Sequence, residues 1–238
     1  GSQTITSNAP AVRAAALDVR RQLLEIAAEE LKRPASELMG TDGRVAPINE
    51  PDKGKAIAEI QGLSQRQELV GIGYRGPNAA GKIALPFAAH FAEVEVTTRT
   101  GEVKVLRFLA AHDSGRVMNL LTYRNQVCGG VTMGIGFGLT EQRILDGRQT
   151  GKMVNANWHD YKIPTAKDVP PEMTCLPIDP HDTECNTTGA KGLGEPATIP
   201  TAPAIANAVY HATGVRVTQT PISPMQMLKL LAEQRAGR

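Results

Sequence analysis

The sequence predicts an α+β fold in which mixed and antiparallel sheets pack against helices. Three stretches carry this reading. Residues 10–31 place apolar side chains at helical spacing, residues 88–110 alternate on either side of a turn, and residues 119–142 form a long, glycine-rich apolar run. At 238 residues the chain is long enough for one large domain or two packed subdomains around a substantial core.

The first helix is the most regular. Ser7 or Asn8 supplies a polar N-cap and Pro10 suits the first turn. Val12, Ala15, Ala16, Val19, Leu23, Ile26 and Ala27 then share one face, opposite Arg13, Arg20, Arg21 and Glu25. Arg33-Pro34 ends the helix near Leu31. Thr41-Asp42-Gly43 reads as a turn, residues 54–61 as a short helix, and the Gly, Pro and Asn content of residues 71–85 as a long loop. Within that loop, Gly76-Pro-Asn-Ala-Ala-Gly81-Lys82 has phosphate-loop spacing. It is followed by Ile83 instead of a magnesium-binding hydroxyl, and by Pro86 where a helix should start, so nucleotide hydrolysis is rejected.

Residues 88–98 and 103–110 flank Arg99-Thr100-Gly101 as a β-hairpin. It runs into His112-Asp113-Ser114-Gly115-Arg116, which reads either as a functional cluster at a strand end or as a turn closed by an Asp113–Arg116 ion pair. The helix over 119–142 contains Gly129, Gly130, Gly134, Gly136 and Gly138. Each interior glycine costs roughly 0.5–1 kcal/mol relative to alanine, so another helix or a ligand must approach closely. Residues 141–145 suggest a strand, Trp158 a buried aromatic anchor, residues 173–178 a strand, 203–212 a helix stopped by Gly214, 215–218 a short strand, and 224–234 a last helix. Before that small-residue helix stands Gly189-Ala-Lys-Gly-Leu-Gly-Glu195-Pro196, a flexible loop ending in one carboxylate, with Pro196 placed to open a helix.

The bulk numbers exclude several classes. A formal charge of +2 with scattered Lys and Arg, and 4% aromatics, argue against a nucleic-acid surface. Cys128, Cys175 and Cys185 form no C-x-x-C, which argues against a disulfide scaffold, a zinc site or an iron–sulfur cluster held by this chain. No run approaches the roughly 20 apolar residues of a membrane span.

Several segments, in order, resemble the C-terminal half of the molybdenum-binding subunit of the xanthine dehydrogenase and aldehyde oxidase family. They are Gly1-Ser2-Gln3-Thr4 with Asn8-Ala-Pro-Ala-Val12, Asp113-Ser-Gly-Arg116 with Asn119, Gln126 through Gly136, Asp160-Tyr-Lys-Ile-Pro164, and Gly189 through Pro196 continuing to Ala208 and Arg216. The resemblance runs from Gly1 to about Leu231. Leu120-Leu121 departs from the proline that often follows Asn119 in the family, and reads as a local change of turn.

The resemblance implies an enzyme that oxidises an aldehyde to a carboxylic acid with water as the oxygen source, around a molybdenum–pterin cofactor of the molybdopterin cytosine dinucleotide form. An N-heterocycle such as a purine is the alternative substrate, and a non-catalytic binding or assembly module of the same fold is the alternative role. The aldehyde preference comes from similarity to bacterial aldehyde oxidoreductases around Asp182 to Glu195. Glu195 aligns with the family's general base, which deprotonates the hydroxyl on molybdenum, in a pocket expected to be water-poor. Ser2, Gln3, Thr4, Gln126, Lys191, Gly192, Leu193 and Gly194 align with cofactor-binding positions, and no side chain is expected to ligate the metal. The same resemblance makes residues 1–238 the C-terminal cofactor-binding domain of a longer molybdenum subunit. It implies association with the remaining N-terminal molybdenum domain, and with partner subunits carrying FAD and 2Fe-2S clusters. The expected location is the cytoplasm, or the periplasm if a partner carries the signal.

Overall fold

The computed structural model describes residues 2, 4–65, 68–78, 80–178 and 180–237. The chain divides into two compact units, one of Thr4–Ala80 with Asn186–Thr188, the other of Gly1–Gln3, Gly81–Cys185 and Gly189–Arg238. Both mix helices with small sheets, as the α+β expectation requires. Among the described residues no helix is long and apolar enough to cross a membrane.

In the first unit, helix α1 (Ala9–Leu31) follows a single π-helical stretch over Thr4–Asn8. Asn8 is therefore already helical and its side chain caps nothing, contrary to the N-cap expectation. Lys32 in the left-handed conformation closes the helix. Its second half packs into the core, where Ala27 is buried beside Leu38, Val45 and Ile60; in its first half Pro10 is buried and Val12 exposed. Strands β1 (Leu38–Thr41) and β2 (Arg44–Pro47) form a hairpin around Asp42 and Gly43, both at positive φ. Strand β3 (Lys55–Ala56) adds to β2. The helix read over 54–61 is instead this strand, a 3-10 turn at Ile57–Glu59 and a one-turn helix α2 (Gln61–Ser64). Residues 71–78 carry no regular structure, as expected. Gly71 and Gly73 lie so close to α1 that an added Cβ would strike the backbone of Ala15.

The second unit is built on strands β4 (Phe87–Thr97), β5 (Glu102–Asp113) and β6 (Glu172–Ile178). The first two form the anticipated hairpin, closed where Thr97 O accepts from Gly101 N at 2.7 Å, and β6 joins β5 in parallel. Helix α3 (Leu120–Leu139) begins at Asn119, whose side chain accepts from Thr122 N at 3.0 Å. Helices α4 (Thr201–Thr213, closed by Gly214) and α5 (Pro224–Ala236, capped by Ser223) complete the unit. The core gathers Val105, Phe108 and Ala110 of β5, Tyr123, Val127, Val131 and Ile135 of α3, Ile205 and Val209 of α4, and Met227 and Leu231 of α5. Each large apolar side chain here contributes about 1.5–3 kcal/mol by leaving water. The Tyr123 hydroxyl donates to His112 O at 2.9 Å and so enters the core satisfied.

The glycines of α3 have mostly a packing cause. An added Cβ at Gly130 would lie 2.5 Å from the Ala197 Cβ, and one at Gly134 would strike the side chain of Thr201. Gly138 meets Ala202 and Ile205 at ordinary contact distance, and Gly136 faces Pro164. Gly129 alone of the five is open, with nothing within 4 Å of an added Cβ. Four of the five glycines therefore face neighbouring protein, and only Gly129 leaves room for a ligand.

Other expectations change. Asp113 pairs with Lys191, not with Arg116. Residues 141–145 make one isolated bridge, Leu145 to Met153, and residues 215–218 are not a strand. Trp158 is 83% exposed, because the turn around Asn157 and Asp160 closes through polar side chains and leaves the indole outside. Residues 194–200 form consecutive turns, so α4 starts at Thr201 and Pro196 does not open it. The phosphate-like loop ends with Lys82 paired to Glu184 and no helix after it.

A buried imidazole pair joins the sheet to α4. His90 Nε2 lies 2.7 Å from His112 Nε2, and His90 Nδ1 lies 3.1 Å from Thr201 Oγ1. His112 Nδ1 is buried without a partner, which disfavours a hydrogen there; His112 is therefore assigned the Nε2–H tautomer and donates to His90. His90 in turn carries its hydrogen at Nδ1, toward Thr201. Burial, and then the neighbouring His112, push the His90 pKa down to about 4.

Two expectations follow. Gly134→Ala should destabilise the chain by about 1–3 kcal/mol through overpacking, whereas Gly129→Ala should stabilise it by roughly 0.5–1 kcal/mol through helix propensity; urea midpoints measure both. The folded chain leaves His90 unprotonated between pH 6.5 and about 4 while the unfolded chain takes up a proton. Stability should thus fall as pH drops through that window, and the difference in melting temperature between pH 7 and pH 4.5 should be smaller in His90→Asn than in wild type.

Candidate active site

The candidate site is the loop from Gly189 to Glu195 together with the parts of the second unit that hold it. Residues 189–191 extend the sheet beyond β5: Arg116 N donates to Gly189 O and Lys191 N to Ser114 O, each at 2.7 Å. Lys191 then turns inward. Its side chain is 9% exposed, and its ammonium lies 3.1 Å from Asp113 Oδ2 and 3.2 Å from Asp182 Oδ2. Burial alone would lower the Lys191 pKa, but hydrogen bonds to Asp113 and Asp182 outweigh it and raise the value. Lys191 in turn holds the Asp182 carboxyl below the usual range. This ion triad ties three segments, the end of β5, the stretch after β6 and the loop, at one point. Removing one member would strand a charge in a partly desolvated position.

Gly192 is buried and Leu193 packs on the core, so neither presents a side chain outward. The Gly194–Glu195 peptide follows. Gln126 Nε2 donates to Gly194 O at 3.0 Å, and Glu195 N donates to Ser2 Oγ at 2.8 Å. Gln126 reaches this position because it begins the same i+4 row of α3 as Gly130, Gly134 and Gly138. That row lies along Gly194, Ala197, Thr201 and Ala202. Glu195 itself is exposed, and the turns beyond it start with Thr198 N donating to Glu195 O at 2.9 Å. The described residues of this chain do not build the water-poor enclosure expected around it.

The structure therefore brings together Ser2, Gln126, Gly194 and Glu195. Thr4 belongs to the other unit and is exposed, Lys191 is engaged by two carboxylates, and Gln3 lies outside the described residues. Asp113 and Asp182, which fix the loop, were not identified as a pair from sequence; a buried lysine needing countercharge is the signal that points to them. Among the described residues no group of three or more His, Cys, Asp or Glu could hold a metal ion, and no disulfide joins the cysteines.

A flat, hydrogen-bonding cofactor fits what is present. Gln126 commits one amide hydrogen to Gly194, and among the described residues its Oε1 has no partner. Gly129, three residues along the helix, is exposed with bare backbone. An amide acceptor beside uncovered backbone is the chemistry that a pterin ring edge matches.

The family model described as the molybdopterin cofactor-binding domain matches residues 1–170. The molybdenum-binding subunit of the Escherichia coli K12 aldehyde oxidoreductase, PaoC, is 42% identical over 147 residues, which cover 62% of this chain and 20% of that subunit. The xanthine dehydrogenase molybdenum-binding subunit of E. coli O157:H7 is 31% identical over 230 residues, 92% of this chain and 29% of that one. Quinoline 2-oxidoreductase from Pseudomonas putida 86 superposes with a TM-score of 0.77 at 27% identity, covering 93% of this chain and 29% of its own. CO dehydrogenase from Oligotropha carboxidovorans shares the fold, with a TM-score of 0.83 at 24% identity over all of this chain and 30% of its own. The chain thus spans less than a third of the length of these relatives. It belongs to the molybdopterin cofactor-binding family of the aldehyde oxidoreductase and xanthine dehydrogenase molybdenum-binding subunits.

Proposed function

We propose that this chain is the C-terminal, base-bearing part of a molybdenum hydroxylase that oxidises an aldehyde to a carboxylic acid. The observation that carries the reading is Glu195: an exposed carboxylate on a peptide fixed at both of its polar groups, in a loop anchored by a buried lysine between two carboxylates. A side chain held only by its own rotamers would not need so much support. The similarity to the aldehyde oxidoreductase subunit supports the aldehyde substrate.

In the overall reaction an aldehyde and water give a carboxylic acid, two protons and two electrons. The molybdenum–pterin cofactor, in its cytosine dinucleotide form, supplies the two-electron redox chemistry when bound. Glu195 acts as general base, accepting a proton from the water-derived oxygen as it becomes nucleophilic toward the substrate carbon. Gln126 offers Oε1 to the cofactor, and the uncovered backbone at Gly129 allows its close approach. Lys191, Gly192 and Leu193 set the loop's course to Glu195, while Ser2, Gln3 and Thr4 lie in the segment that the resemblance assigns to the cofactor. The remaining molybdenum domain completes the pocket and excludes water, and subunits with FAD and 2Fe-2S clusters accept the electrons. Several relatives are by name subunits of larger enzymes, which supports this assembly. We place the complex in the cytoplasm.

A second reading, hydroxylation of an N-heterocycle, is supported by the similarity to the xanthine dehydrogenase subunit over 92% of the chain. A side-by-side comparison of kcat/KM for an aromatic aldehyde and for a purine in the assembled enzyme separates the two. In the same enzyme, Glu195→Gln should lower kcat by about 10²–10⁴-fold at unchanged molybdenum content. Retention of turnover within about tenfold of wild type would reject the base role.

A further inference from the structure

We propose that Ser2 and Gln126 are positioning residues that aim Glu195 by clamping one peptide plane. The inference rests on the base role of Glu195 proposed above and adds to it how the carboxylate is held.

Gly194 C=O and Glu195 N–H belong to the same peptide unit. Gln126 Nε2 donates to the first at 3.0 Å and Ser2 Oγ accepts from the second at 2.8 Å. One bond would leave the plane free to swing about the other end. Two bonds at its opposite polar groups fix its orientation, and with it the direction in which the Glu195 side chain leaves the backbone.

The residue at 194 explains why a clamp is needed. A Cβ there would strike Ser2 Oγ, so only glycine lets Ser2 come this close. Glycine, however, is the residue whose backbone rotates most freely. The approach that admits Ser2 therefore creates a pivot next to the base, and the hydrogen bonds from Ser2 and Gln126 remove that pivot. Ser2 is itself held at φ 59°, a left-handed conformation unusual for serine. Such an outlier persists only where surrounding contacts demand it. The family match begins at residue 1 and so includes this serine.

A positioning role differs from direct cofactor binding in what it changes. Loss of a cofactor contact lowers cofactor occupancy. Loss of aim lowers kcat while occupancy and KM stay the same, because a misplacement of about 1 Å can cost up to about 100-fold in rate.

The test uses the assembled holoenzyme carrying Ser2→Ala, Ser2→Thr or Gln126→Leu. Three quantities are measured: molybdenum and pterin content, kcat and KM for the aldehyde, and hydrogen exchange of the Glu195 amide by fragmentation mass spectrometry. The proposal expects Ser2→Ala and Gln126→Leu each to lower kcat per bound molybdenum by about 10–100-fold with KM within twofold, and Ser2→Ala to leave cofactor content unchanged. It expects the Glu195 amide to exchange at least about tenfold faster in Ser2→Ala, since its acceptor is gone. Ser2→Thr keeps the oxygen and should restore both protection and turnover. Because both residues hold one plane, Ser2→Ala combined with Gln126→Leu should cost much less than the product of the single effects.

Unchanged exchange at Glu195 in Ser2→Ala would overturn the clamp. So would a loss of cofactor content in Ser2→Ala proportional to its loss of rate, or multiplicative single effects. The exchange readout does not depend on turnover, so it tests the clamp even if Glu195→Gln proves active and the base role fails. Conversely, a dead Glu195→Gln with unchanged exchange in Ser2→Ala rejects the clamp and leaves the base standing.

Discussion

The second unit depends on how closely α3 can lie against the chain that follows Glu195. Gln126, Gly130, Gly134 and Gly138 form one i+4 row of the helix, and three of its four members have no side chain. Packing of such rows brings helix axes to their nearest approach. Here the absent side chains let Ala197 and Thr201 sit on the backbone of α3. The first residue of the row is the exception, and its long amide reaches the one peptide that matters most. Structure and site share a single interface: the contact that buries Val127 and Val131 alongside it also delivers Gln126 to Gly194.

Near that interface stand two polar clusters of three groups each. Lys191 sits between Asp113 and Asp182, and His90 between His112 and Thr201. Both arrangements start from the far end of β5, where a polar run meets a buried face. The strand end gathers the loop through charge and the helix start through imidazoles. Both clusters hold their polar groups against one another, whereas Glu195 is exposed on a peptide bonded at both of its polar groups.

Much of this was legible in the sequence where the determinants are local. The β4–β5 hairpin shows as alternation around Thr100-Gly101, α3 starts at the polar cap Asn119, and Gly214 stops α4. The family motifs placed Glu195 and Gln126 in one site, and the structure puts them on adjoining segments. What stayed hidden depends on distant partners. Trp158 has the composition of an anchor, but burial needs a facing surface that no spacing reveals. Asp113 had a nearby arginine and chose a lysine far along the chain. Pro196 suits a first helical turn and suits a turn equally well, and the packing of Ala197 on Gly130 favours the turn. Strands of two to four residues around Asp42-Gly43 are too short for alternation to register.

The parallel pairing of β5 with β6 joins parts of the chain that lie far apart in sequence. The hairpin of β4 and β5 closes across a tight turn, but β6 reaches β5 only after residues 114–171 have been looped out and folded back. Loop closure of that size carries a larger entropic cost than a hairpin turn. Helix α3 lies within that loop and packs against the sheet. Asp182 stands shortly after β6, so one of the two charges that seat Lys191 is placed by that strand and the other, Asp113, by β5. The course of the loop carrying Glu195 is thereby tied to the most distant pairing in the sheet, because Lys191 bridges a carboxylate at the end of β5 and one beyond β6.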